Sequence, residues 1–187
     1  MASTSTEGRT TGKAVEAPDA ELNGTKTTLF SVIAYFAVIV GLFSLLGGMF
    51  GIGYTYQQAA VENINTPGDA VIAEAPVRGP LTMWAQSEVI TRHQLDRTEG
   101  LRYAEMPRLI EQVDPETGEV VIGEDGEPVM VSNDVRLSWI DATALTTVLG
   151  LGIISYAFSA FAMVVGLALM GLGWVVLKLR RSAALFA

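Results

Sequence analysis

Two stretches without a single charged side chain, residues 27–61 and 142–177, flank an acidic middle segment. Each exceeds the roughly 20 apolar residues that carry a helix across a hydrocarbon core of about 30 Å. As a helix, either would reach roughly 50 Å at about 1.5 Å per residue, so part of each must project beyond the lipid. The expected fold is a mainly α membrane protein, a two-helix transmembrane hairpin with a small extracytoplasmic α+β domain that includes an acidic β-hairpin. The expected boundaries are a disordered cytoplasmic tail over 1–26, a transmembrane helix over 27–56 and an outer domain over 57–132. A long helix follows over 133–179, with its span at about 153–177, and then a basic cytoplasmic tail over 180–187.

The first stretch is too long for the apolar region of a secretory signal, usually about 7–15 residues, and no A-x-A site follows it. It is therefore expected to stay as an anchor. Lys26 precedes it, and Lys178, Arg180 and Arg181 follow the second stretch, whereas on the loop side only Arg136 lies near a span. Because Lys and Arg next to spans stay on the cytoplasmic side, both termini should face the cytoplasm and the loop the outside. Tyr54, Tyr56 and Trp139 fall near the outer boundary and Trp174 near the inner one, as aromatic belts do.

Residues 54–141 hold sixteen acidic and six basic side chains. The basic stripe that a nucleic-acid partner needs is absent outside the C-terminal cluster, which excludes that class. The chain has no cysteine, so disulfides and thiolate chemistry are excluded as well.

Small residues recur in the apolar stretches. Gly47 and Gly51 form a G-x-x-x-G pair, and Ser155, Ser159 and Gly166 line the second stretch. Such residues let helix backbones approach closely, here first within the chain and secondarily between copies. In the middle segment, 81–97 is expected to be a short helix ended by Gly100. Residues 113–131 suggest a hairpin with turns at 114–118 and 124–127 and strands at 120–122 and 129–131. Its acidity does not match the ligand register of a calcium-binding EF-hand loop. Ser132 or Asn133 can cap the second long helix.

His93 is the only histidine. A mononuclear iron or zinc site takes two or more nitrogen or sulfur ligands, or two histidines with a carboxylate, so one histidine without cysteine does not supply a set. Glu88, Asp96, Glu99 and Glu105 lie near it in sequence, yet no nucleophile or oxyanion donor accompanies them. Ser87 lacks a nucleophile-elbow context. Neither stretch carries the ionisable residues that mark proton or ion pathways. No catalytic residue, metal site or cofactor is expected.

One ordered set of short motifs carries a resemblance. It runs from Val61-Glu62-Asn63-Ile64 through Val77-Arg78-Gly79-Pro80, Ala85-Gln86 and Val89-Ile90. It continues with His93-x-Leu95-x-x-Thr98-x-Gly100-Leu101, Tyr103-Ala104-Glu105-Met106-Pro107-Arg108 and Trp139-Ile140-x-Ala142-Thr143-Ala144-Leu145. Over roughly residues 28–177, less the hairpin at 113–131, the chain resembles a family of small actinobacterial two-span membrane proteins. Many of them carry the label "aromatic ring-opening dioxygenase LigA". The resemblance implies a bacterial plasma-membrane location, and its label implies oxygen chemistry at a non-haem iron. The polar positions matching the family pattern are His93, Thr98, Tyr103, Glu105 and Arg108, expected to hold the outer domain together through hydrogen bonds.

The expected function is that of an uncharacterised two-pass membrane protein serving as an accessory or interaction protein of the cell envelope. Its partners would be the lipid bilayer and either itself or a larger membrane assembly. The alternative is the membrane-tethered dioxygenase, or other metalloenzyme, that the label implies.

Overall fold

The computed structural model describes residues 18–183, and the side chains of 28–181. The chain is mostly helical. In order it forms α1 (Pro18–Val61), α2 (Pro80–Arg97), a 3-10 turn (Tyr103–Glu105), β1 (Leu109–Glu111), β2 (Met130–Ser132) and α3 (Asp134–Ala183). Segments Thr28–Val61 of α1 and Asp134–Arg181 of α3 are long and apolar enough to cross a membrane.

α1 begins at Pro18, upstream of the start expected at Thr27, so the part of the 1–26 tail over 18–26 is helical. Proline suits a first helical position because the amide it lacks has no acceptor within the helix. Once the apolar run nucleates the helix, each further turn costs little, so the Asn23-Gly24-Thr25 step is spanned. Residues 1–17 of that tail lie outside the described residues. At the other end α3 continues through Arg180 and Arg181, which the sequence reading placed in a tail. Cations in a last turn oppose the partial negative charge of the exposed carbonyls. Residues 184–187 lie outside the described residues.

The contacts divide the chain into two compact units, 18–43 with 166–183, and 44–165. In the first unit α1 and α3 run antiparallel, and their backbones nearly touch at glycines. A Cβ on Gly41 would stand 2.6 Å from the Gly166 carbonyl oxygen. One on Gly173 would stand 2.7 Å from the Ala34 carbonyl oxygen. Arg180 donates a hydrogen bond to the Ser31 hydroxyl, and Ser31 and Ala34 are buried.

The second unit contains its own antiparallel contact between α1 and α3. A Cβ on Gly48 would stand 2.5 Å from the Ser159 carbonyl oxygen and 2.6 Å from Met163 Cγ, and one on Gly51 would strike Ser159 Oγ. Ser44 Oγ donates to the Ala162 carbonyl at 2.8 Å, and the Thr55 and Ser155 hydroxyls pair at 2.7 Å. Gly51, Ser155 and Ser159 therefore lie at this contact, as Gly166 does in the first unit. Gly47 does not, because nothing stands within 4 Å of its Cβ position. In the first unit the contact positions are Ala34 and Gly41 on α1 and Gly166 and Gly173 on α3; in the second they are Gly48, Gly51 and Thr55 on α1 and Ser155 and Ser159 on α3. Within each unit the α1 contacts recur two turns apart, Ala34 and Gly41 in the first and Gly48 and Thr55 in the second, a spacing that keeps one helix face against its partner.

Above this contact the second unit carries α2 and the strand pair. Gly79 precedes α2, and Thr82 Oγ1 accepts from the Gly79 amide at 3.2 Å, a partner for a donor the helix leaves open. Gly100, with φ +85, ends the helix by donating to the Leu95 carbonyl at 2.8 Å. Met83, Ala85 and Val89 of α2 are buried, as are Trp139 and Ala142 of α3. Trp139 Nε1 donates to the Leu101 carbonyl at 3.0 Å, so this indole is an internal brace rather than a belt residue.

The strands differ from the expected hairpin. β1 pairs antiparallel with β2 in the register Leu109↔Ser132, Ile110↔Val131 and Glu111↔Met130. Residues 120–122 make only isolated bridges, Val113↔Val120 and Ile122↔Pro128. Proline has no amide to donate, so a ladder cannot run through Pro128, and the longer pairing goes to 109–111. Both turns form, with Gly118 and Gly126 at positive φ. Asn133 starts α3, its Oδ1 accepting from the Arg136 amide at 3.0 Å.

A leucine at Gly48 should lower the unfolding midpoint in detergent by the equivalent of about 1–3 kcal/mol, the usual cost of overpacking. The same change at Gly47 should stay within about 0.5 kcal/mol of wild type. Equal losses at the two positions would contradict the assigned contact.

Candidate functional site

Within the second unit, the upper part of α1, the loop before α2, α2 itself and α3 enclose a cavity of about 440 Å³. Its walls are largely apolar, with Ile64, Val77, Met83 and Ile90 on one side and Leu145, Val148, Leu149 and Leu151 on the other. Gly152 brings α3 close to α2, since a Cβ there would stand 2.7 Å from Met83 Sδ. Tyr54, Leu145, Val148 and Leu151 are exposed as well as lining, so the cavity opens at the surface.

Few polar groups face it, and they differ in their satisfaction. The Thr55 and Ser155 hydroxyls spend their hydrogen bonds on each other. The Gln86 Oε1 is buried and has no hydrogen-bond partner among the described residues. Such an acceptor is uncommon, because a buried polar atom without a partner carries its full desolvation cost. Glu62 also lines the cavity, and its carboxylate makes no ion pair among the described residues. An apolar pocket with a few convergent polar groups has the form of a ligand site, and its volume falls in the usual range of about 300–1,000 Å³.

The expected polar positions lie elsewhere and are spent on structure. The His93 Nε2 stands 2.6 Å from Asp69 Oδ2. Arg92 joins the same carboxylate at 3.1 Å, donates to the Asp69 carbonyl at 2.8 Å and reaches Glu88 at 3.3 Å. This cluster ties the loop over 62–79 to α2. Thr98 is buried at the end of α2, donating to the Gln94 carbonyl at 2.9 Å. Glu105 Oε2 accepts from the Arg102 amide at 2.7 Å. The Arg136 guanidinium lies 3.7 Å from the centre of the Tyr103 ring and donates to the Tyr103 carbonyl. The Arg108 carbonyl accepts from the Asn133 amide at 3.0 Å, while its side chain is exposed. No group of three metal-ligating side chains converges among the described residues.

The sequence reading overlooked Asp69, Glu62 and Gln86. Asp69 belongs to a turn far from His93 in sequence, and only the folding of the loop onto α2 joins them. Gln86 lies within the Ala85-Gln86 motif, but nothing in its neighbours signals an unpartnered amide. No family model, curated protein or solved structure matches this chain.

The hydrogen bond from His93, and then that from Arg92, hold the Asp69 carboxyl below the ordinary value of 3.8. The Asp69 carboxylate in turn raises the Arg92 guanidinium. A lowered carboxyl contributes its stability above its ordinary value and loses it as pH falls through the lowered one. Asp69→Asn should therefore unfold at a lower temperature than wild type at pH 7, and the gap should close below pH 3.8. The group is exposed, so the effect should be small. Coincident melting curves at pH 7 would show that the cluster contributes nothing.

Proposed function

We propose that this chain is a two-pass protein of a bacterial plasma membrane, with both termini cytoplasmic. Its outer α+β layer would serve as an accessory or interaction module of the envelope. The observation carrying this reading is that its two apolar helices turn their large side chains outward. Only 17% of the most apolar window of α1 and 11% of that of α3 is buried. Phe43 and Phe50 are each 72% exposed, and Phe158 is 70% exposed. The core helix of a water-soluble protein hides such side chains. Lipid solvates them at no cost while every backbone group stays bonded within its helix.

Orientation is supported by the cations near the span ends, Lys26 on one side and Lys178, Arg180 and Arg181 on the other. An interaction role is supported by the outer layer. Its conspicuous polar groups are committed to hydrogen bonds between loop, α2 and α3, while Leu81 and Trp84 of α2 remain exposed. The small-residue contact between α1 and α3 leaves the opposite helix faces available to the bilayer or to a larger membrane assembly. Membership in the two-span family named above is part of this proposal.

The protein should sediment with membranes and resist extraction by alkaline carbonate. Reporter fusions at either end should behave as cytoplasmic, and protease should cut the 116–127 turns only from outside. Recovery in the supernatant as a compact monomer would refute the membrane reading, and the opposite protease pattern would reverse the topology. Crosslinking in intact cells should trap the chain with itself or another membrane protein, and exclusive recovery of uncrosslinked monomer would remove the interaction role.

A further inference from the structure

The cavity beside Gln86 lies where the apolar helices outrun the bilayer. The charge-free stretches of α1 and α3, residues 27–61 and 142–177, would each reach roughly 50 Å as helix against a hydrocarbon core of about 30 Å. The excess apolar length must be covered by something other than bulk lipid. Met83, Ala85 and Val89 of α2 cover part of it. The walls at Leu145, Val148, Leu149 and Leu151 are left lining the open space.

We propose that this cavity holds an acyl chain of one phospholipid whose head group carries an ammonium, with that ammonium held at Glu62. The inference rests on the membrane reading above. Three observations select this occupant. The exposed apolar surface of α3 continues from Leu151 to Ile154 and Phe158, so a chain entering from the bilayer never leaves apolar surroundings. The hydroxyls of Thr55 and Ser155 satisfy each other and present no polar demand to that chain. The Glu62 carboxylate is the one charged group on the lining, beside the neutral polar side chains of Tyr54, Gln58 and Gln86.

That carboxylate decides the head group. A cation gains from Glu62, the one charged residue on the lining. A head group bearing net negative charge meets the carboxylate unfavourably. A lipid with an ammonium head matches the polar end and the apolar walls together.

The test uses the full chain, purified from membranes in mild detergent and examined by native mass spectrometry. Phosphatidylethanolamine and phosphatidylglycerol with identical acyl chains are the probes. Wild type should bind one phosphatidylethanolamine and prefer it over phosphatidylglycerol by about threefold, as an exposed charge contact allows. Ala59→Phe, which fills the cavity, should lose the adduct with both lipids. Glu62→Gln alters an exposed side chain outside the packed contacts, so it keeps the fold; it should retain one lipid and lose the preference. An adduct unchanged by Ala59→Phe, a preference unchanged by Glu62→Gln, or a carbonate-resistant protein without any lipid adduct would overturn the inference and leave the membrane reading standing. A protein recovered from the soluble fraction would overturn both.

Discussion

Close approach of helix backbones is the interaction on which each unit depends. Where α1 meets α3, glycine or another small residue leaves a carbonyl oxygen of one helix almost against the α-carbon of the other. Short-range dispersion between backbones that small residues allow to meet holds the two helices together. Two supplementary bonds in the second unit, Ser44 to Ala162 and Thr55 to Ser155, add direction to a contact that is otherwise shape alone. The large residues, freed from the contact, point outward.

The outer layer obeys the opposite physics. The order of residues 62–141 comes from polar bonds made over long sequence separations. Trp139 reaches the Leu101 carbonyl, Gln94 Nε2 donates to Ser138 Oγ at 2.6 Å, and Tyr156 donates to the Arg78 carbonyl at 2.6 Å. The hydrophobic core here is small, essentially Val77, Met83, Ala85, Val89, Trp139 and Ala142. A layer with so little apolar burial relies on satisfying its backbone at each turn. Thr66 illustrates this: it is buried within the 62–79 loop, accepts from the Ala75 amide at 2.9 Å and donates to the Ile72 carbonyl. The cavity lies on the seam between these regimes, where apolar helix walls meet the first unsatisfied polar group.

The polar positions His93, Thr98, Tyr103, Glu105 and Arg108 lie outside the cavity, whereas Glu62, Ile64, Val77, Gln86, Ile90 and Leu145 from the same ordered motifs line it. The five polar positions mark places where a turn is locked or a loop tied down, whereas the cavity is lined by residues of unremarkable type. The group that would recognise a ligand there is the Glu62 carboxylate, just beyond α1.

Two long apolar helices, a capped α2 ending at Gly100, the turns at Gly118 and Gly126 and the capping role of Asn133 were all legible in the chain. Each follows from local rules of hydropathy, φ freedom or orphan amides. The small-residue contact was half legible. Glycines announced it, but the G-x-x-x-G frame pointed to Gly47, while the residues in contact recur two turns apart as Ala34 and Gly41 in the first unit and Gly48 and Thr55 in the second. Which side of a helix faces its neighbour is settled by the partner's surface, and the partner lies more than a hundred residues away. For the same reason tertiary structure alone decided that β2 pairs with 109–111, that Asp69 meets His93 and that Gln86 is left without a donor. Local sequence sets the conformation of a segment; which segments meet depends on closing long loops, whose outcome no short motif encodes.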